Sequence, residues 1–223
     1  MLPSLQNDSI EYILPSPEEI RNYPRFQNLP PEHIVVISSR EQCQAIEVEI
    51  KTAVLLGFDT ESKPTFIKGE ISTGPHLIQL ATDEKAYLFQ INADILEFLK
   101  PILSNPTQIK VGFGLKNDVH LFRKKGIELN SSIDLAKSFS AFGIKNPVGV
   151  KNAMALLFQV HFQKNKKIST SNWSKKKLSE EQILYAAADA YAPVIILKKL
   201  GELQLLDPFI SHKFNLKIKK YNV

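Results

Sequence analysis

The sequence predicts an α/β fold: a mixed sheet of five to six strands flanked by helices. Three observations carry this reading. Short apolar runs rich in Val, Ile, Leu and Phe alternate with longer helical patterns. Three of those runs follow in succession, the last two joined by a short polar turn, which suggests an antiparallel meander. From about residue 115 onward the chain is mainly helical in pattern.

Taken in order, residues 1–30 hold five prolines (Pro3, Pro15, Pro17, Pro24, Pro30) and little periodicity. They form an N-terminal arm, packed on the domain or mobile, with a short helix after Ser16. The domain itself is placed at residues 31–206. "HIVVI" (33–37) is a strand, and Ser39 and Gln42 have capping-box spacing for a helix running to about residue 52. "AVLLGFD" (53–59) is a buried strand. "HLIQLATD" and "AYLFQI" (76–91) are two strands joined at Asp83-Glu84-Lys85. A helix over 93–103, the strand "QIKVGFG" (108–114) and a helix from Leu115 to Lys125 follow. Further helices are expected at 134–141, 149–159 and 179–201. Pro193, which cannot donate to the carbonyl of residue 189, predicts a local distortion of the last helix at 189–193. Residues 207–223 form a basic C-terminal tail.

The chain has 223 residues, 43% hydrophobic and 23% charged, the balance of a globular domain with a sizeable core. A single cysteine, Cys43, excludes an intramolecular disulfide and a cysteine metal cage, and fits a reducing compartment. No signal-peptide pattern is visible and no apolar run reaches the ~20 residues of a membrane span. The expectation is a cytoplasmic protein, or a nuclear one in a eukaryote, with no membrane association. The net charge is +5, with lysines gathered in "KNKK" (164–167), "SKKK" (174–177) and "KFNLKIKK" (213–220). This pattern points to a polyanionic partner or to an ordinary solvated surface.

Three distant segments carry acids in apolar surroundings. "GFDTES" ends a buried strand with Asp59 and Glu61, which share one strand face unless Asp59 is a turn or cap residue. In "KVGFGLKNDVHLF", Asp118 falls in the first turn of a helix, where it also suits the helix dipole. The glycines there do not have dinucleotide-fingerprint spacing. In "LSEEQILYAAADAYAPVIIL", Tyr185 and Asp189 lie one turn apart on a helix that is otherwise apolar or small. An ionised carboxylate inside such a helix needs a cation unless it faces solvent. No Lys or Arg stands between Lys177 and Lys198, so none is expected nearby. If the four acids converge, their charge of about −4 is untenable without cations. Two divalent ions would balance it, and hard oxygen donors select Mg²⁺ or Mn²⁺. The five histidines show no ligand spacing. Carboxylates holding two ions suit in-line displacement at phosphorus.

"FDTE", "GFGLKND" and "YAAADAYA" resemble, in order and spacing, the three exonuclease motifs of the DEDD superfamily in its tyrosine subclass. "STSNWSKKKLSEEQILYAAADAYA" is similar to the Werner-type exonuclease domain, a relative of the ribonuclease D catalytic domain. The resemblance covers residues 31–206. It implies a ribonuclease H-like fold and a 3′→5′ exonuclease that releases nucleoside 5′-monophosphates from 3′ ends of DNA or RNA with two divalent cations. Asp59 would bridge both ions, Glu61 and Asp189 would complete the site of the nucleophilic water, and Asp118 would help hold the second ion. Tyr185 would orient the water. Thr60, Asn117, His120, Trp173 and Lys175 are the candidate substrate-binding residues. Trp173 borders the channel or packs in the core. Lysines of the 164–177 region would help meet transition-state charge. His120 departs from the closest group, which often has an aromatic residue there. The chain shows no helicase or second nucleic-acid module, so a stand-alone or partner-targeted nuclease is expected. The alternatives are a ribonuclease D-like enzyme of RNA processing and a catalytically inactive nucleic-acid-binding scaffold.

Overall fold

The computed structural model describes residues 12–65, 73–206 and 210–212. Six strands form one mixed sheet: β1 (Ile34–Ile37), β2 (Leu55–Glu61), β3 (Leu77–Ala81), β4 (Ala86–Gln90), β5 (Ile109–Gly112) and β6 (Ser132–Asp134). Their spatial order is β1-β4-β3-β2-β5-β6. β2, β3 and β4 make the expected antiparallel meander. β1 joins β4, β5 joins β2 and β6 joins β5, all in parallel. The strand that ends in Asp59 and Glu61 is therefore central, paired on both sides.

Side-chain alternation then divides the molecule into two layers. Leu56, Phe58, Ile78, Leu80, Tyr87 and Phe89 fill one face of the sheet. That face is covered by α2 (Arg40–Ala45), α3 (Glu47–Thr52), α4 (Ala93–Leu103) and α5 (Lys116–Lys124), which contribute Cys43, Ile50, Ile95, Leu99 and Phe122. The opposite face lies against α6 (Val150–Phe158) and the long α8 (Glu180–Glu202), which runs across five strands. Lys110 of β5 is wholly buried, and its ammonium donates to the carbonyls of Ile102, Asn105 and Gln108, closing the C-terminal end of α4.

The capping boxes at Ser39 and Ser179 are formed, with Gln42 and Gln182 reaching back to the cap backbone. So is one at Ser16, which opens the short helix α1 (Pro17–Asn22). Over its described part the N-terminal arm packs on the domain. The Phe26 ring lies 5.1 Å from Phe162, the Phe26 N–H donates to the His161 carbonyl, and the Asn28 side chain donates to the Leu184 carbonyl at 2.8 Å. Residues 1–11 and nearly all of the basic tail lie outside the described residues.

Two expectations are corrected. The helix over 39–52 is two helices meeting at Ile46. The helix expected at 134–141 is replaced by strand β6 and two 3₁₀ turns, Leu135–Lys137 and Ser140–Phe142. Asp134 accepts from the Ala136 N–H and closes the first turn early, and Gly143 at φ 76° ends the second. α8 runs as one helix through Pro193 to Glu202, and Pro193 has no N–H to donate to the carbonyl of residue 189. Among the described residues no helix is long and apolar enough to cross a membrane.

Candidate active site

The site begins at a glycine. Gly57 lies on the face of β2 that meets α8, and a Cβ built on it would stand 1.8 Å from the Ala190 carbonyl oxygen. Strand and helix backbones thus touch directly. Alternation from Gly57 puts Asp59 and Glu61 on that same face, and the contact at Ala190 brings the preceding residue, Asp189, alongside them. Ala186, Ala187 and Ala190 are buried and keep the approach close.

Asp118 arrives from the other layer. Thr60 lies between Asp59 and Glu61 and turns to the opposite face, where its hydroxyl donates to Asp118 Oδ1. Its backbone N–H donates to Asp59 Oδ1 at 2.9 Å, so one residue fixes two of the acids. The turn from β5 into α5 is tight. A Cβ on Gly112 would lie 2.4 Å from the Phe58 carbonyl oxygen, and Gly114 is left-handed at φ 70°. Asp134 accepts from the Gly114 N–H at 2.9 Å and the Leu115 N–H at 3.1 Å, holding the turn that starts α5 and so aims Asp118.

The cation that Asp189 needs is present, and it is not on α8. Lys164 Nζ lies 2.9 Å from Asp189 Oδ2, with the Asp189 side chain 2% exposed and that of Lys164 36%. This corrects the expectation of no nearby cation. Lys164 is 25 residues upstream, in a loop that only the fold brings back. The same ammonium lies 5.6 Å from the Tyr185 ring centroid.

The electrostatics report convergence. Burial first, then the Asp189 charge, holds the Asp59 carboxyl well above the usual range. Glu61 is pushed up to about 9 by burial, then by Asp59 and Asp189. Asp118 and Asp189 are raised as well, chiefly by burial. Burial works against the Lys164 charge, but Asp189, Asp59 and Glu61 outweigh it and hold the lysine above its ordinary value. The Tyr185 phenol is raised by burial and then by Asp189 and Glu61, so it is a neutral donor at neutral pH. The donor set is all hard oxygen and, once ionised, would carry more negative charge than one ammonium offsets, which fits hard divalent cations. No three His, Cys, Asp or Glu side chains among the described residues are gathered closely enough to hold an ion as they stand, with the Lys164 ammonium bound among these acids.

Trp173, Lys175, Asn117 and His120 are the remaining candidates. Trp173 is buried, its ring 6.1 Å from that of Tyr185, and its indole N–H donates to the Ser169 carbonyl. It also forms part of a cavity of about 340 Å³ with His76, Asn92, Lys175 and Lys176. Lys175 is exposed, and its carbonyl accepts from the Gln90 side chain at 2.9 Å. Asn117 and His120 are exposed on α5. Sequence reading missed Lys164 as the partner of Asp189, Asp134 and the role of Gly57. For Gly57 a signal existed, since glycine inside a strand marks close backbone approach. For the other two no local signal exists.

Residues 34–204 match the model of a family described as 3′-5′ exonuclease. This chain belongs to that 3′-5′ exonuclease family. Among curated relatives of this family member, the bifunctional 3′-5′ exonuclease/ATP-dependent helicase WRN of Mus musculus is 32% identical over 197 residues, covering 79% of this chain. The chain spans only 13% of that protein's length. The solved Aedes aegypti Nibbler EXO domain superposes with a TM-score of 0.67 at 23% identity, over 82% of this chain and 94% of that one. Escherichia coli RNase D, whose structure is described as that of an exoribonuclease involved in structured RNA processing, gives 0.65 at 23% identity, over 85% of this chain and 51% of that one. The ribonuclease H-like fold is therefore the one this exonuclease-family chain adopts. Divalent metal ions are general in the family.

Proposed function

We propose that this chain is a 3′→5′ exonuclease that hydrolyses phosphodiester bonds at the 3′ end of DNA or RNA and releases nucleoside 5′-monophosphates. The observation that carries the reading is the meeting of Asp59, Glu61, Asp118 and Asp189 from three segments, with each carboxyl raised and Tyr185 one turn from Asp189. A scaffold without catalysis would have no use for four acids held at such electrostatic cost.

Asp59, Glu61, Asp118 and Asp189 would hold two Mg²⁺ or Mn²⁺ ions. When bound, these supply Lewis acidity and a water that deprotonates readily at neutral pH. The chain's own residues do the rest. Thr60 locks Asp59 and Asp118 in register. Tyr185, a neutral phenol beside Asp189, orients the attacking water by hydrogen bonding. Lys164 carries positive charge at the edge of the acid cluster, where a phosphate would enter. Lys175, Asn117 and His120 are exposed and would meet the strand through backbone contacts that are tolerant of sequence, while the buried Trp173 backs the Tyr185 ring. The single buried Cys43 fits a reducing compartment, the cytoplasm or the nucleus.

The test is a time course on 3′-labelled and 5′-labelled single strands, DNA and RNA in parallel, with Mg²⁺ and with chelator. Mononucleotides should leave from the 3′ end, and chelator should stop the reaction. Internal cuts, or full activity in chelator, would sink the proposal. The two substrate arms decide between DNA and RNA directly.

A further inference from the structure

Lys164 is the one basic group bound into the acid cluster among the described residues. It forms an ion pair with Asp189 at 2.9 Å, and its charge acts on Asp59, Glu61 and Tyr185 as well. Asp59, Glu61 and Asp189 are the acids that would hold cations if the exonuclease reading is right, and this inference rests on that reading. An ammonium and a divalent cation are alternatives for the same oxygen lone pairs. Both cannot be held by Asp189 Oδ2 without strong like-charge repulsion a few ångströms apart.

Lys164 also has somewhere to go. It sits just ahead of α7 (Lys166–Ser169), its side chain is one third exposed, and it lines a second cavity of about 530 Å³ with Phe113, Gly114, Val148, Gly149 and Lys151. That cavity adjoins the acid cluster on the α6 side. A lysine stem has four rotatable bonds, and Lys164 already lines this cavity while its ammonium meets Asp189.

We propose that Lys164 is an internal counter-cation, which closes the acid cluster in the ion-free protein and gives way when divalent cations load. It is thus a positioning residue with two stations. In the ion-free protein it pairs with the ionised Asp189 beside Asp59 and Glu61. In the loaded protein it is released toward the Phe113–Lys151 cavity, where its charge faces the incoming phosphate backbone. The exchange makes ion loading competitive with a built-in cation.

The experiment reads ion binding without nucleic acid. Mn²⁺ is titrated into the full chain and followed by electron paramagnetic resonance, for the wild type, Lys164→Met and Lys164→Arg. Lys164→Met should bind Mn²⁺ roughly tenfold more tightly than the wild type, the scale of one lost charge repulsion. Lys164→Arg, which keeps the charge, should stay near the wild-type affinity. In chelator the Lys164→Met protein should melt below the wild type, and Mn²⁺ should raise its melting temperature by more. A measurement on the wild type covers the case in which the methionine variant fails to fold. With ¹³C-labelled lysine, the Lys164 Cε resonance, identified by its loss in Lys164→Arg, should move as Ca²⁺ is added. Equal or weaker Mn²⁺ binding by Lys164→Met, or a Lys164 resonance that stays still while ions bind, overturns the exchange and leaves the exonuclease reading standing. A wild type that binds no Mn²⁺ at all overturns both.

Discussion

Gly57 and Ala190 stand so close that a single added carbon on Gly57 would fall 1.8 Å from the Ala190 carbonyl oxygen. This contact docks α8 on the central strand, and it sets the distance between the acid on the helix and the pair on the strand. Gly57→Ala should therefore cost about 3 kcal/mol of stability, because the clash is with backbone and not with a flexible side chain. It should also lower kcat beyond what lost folding explains, since Asp189 is moved away from Asp59. Chemical denaturation together with rates per folded molecule checks this, and a fully active, fully stable Gly57→Ala protein would contradict it.

Removing an acid should be far more damaging to turnover than to folding. Asp189→Asn relieves a buried charge but leaves too few oxygen ligands and frees Lys164. Its rate should fall on the order of 10²–10³-fold or more, with a melting temperature in chelator at or above that of the wild type. Retention of the wild-type rate would remove α8 from the site.

Tyr185→Phe keeps the ring against Trp173 and loses only the hydroxyl. The loss should be about 10²-fold or less, the cost of a misplaced water and not of missing ligands. A phenylalanine variant as inactive as Asp59→Asn would show that the hydroxyl does more than orient.

The raised carboxyls predict a pH dependence in the absence of divalent ions. Glu61 is lifted from 4.5 to about 9 in the folded protein, so the native state keeps a proton that the unfolded chain has already released. Stability from this source is complete below about 4.5 and is lost as pH rises through about 9. Thermal unfolding in chelator should accordingly weaken across that window, and Mg²⁺ or Mn²⁺ should flatten the trend by stabilising the ionised acids. A melting temperature in chelator that rises with pH across the same window would refute the sign.

Lys175 and Lys176 flank the cavity beside Trp173, on the surface and away from the acids. Replacing both with Glu should raise KM several-fold at low salt and leave kcat within about twofold, because phosphate contacts of this kind set affinity and are screened by salt. An unchanged KM at low salt would place the strand elsewhere.

The local chemistry of the sequence was enough to find the meander, the helix caps at Ser39 and Ser179, a short helix after Ser16, and the candidate acids at 59, 61, 118 and 189. Each of those signals is carried by neighbours in the chain: alternation along a strand, a Ser three residues before Gln, a charge in an apolar run. β6 escaped because three residues with polar flanks give no alternation to read, and its pairing with β5 is formed by a partner 22 residues away. The two 3₁₀ turns escaped because Asp134 acts on the backbone of Ala136 and on the distant Gly114 at once. Lys164 escaped for the same kind of reason. Nothing within the helix of Asp189 reveals a cation contributed by a loop, and the ion pair exists only once α8 lies across the sheet. The sequence alone determined which groups are candidates for the chemistry, since charge in apolar surroundings is written in composition and spacing. The tertiary structure alone decided how they are aimed and what holds them apart, because a backbone contact at Gly57 and a lysine ammonium among carboxylates are facts of distance.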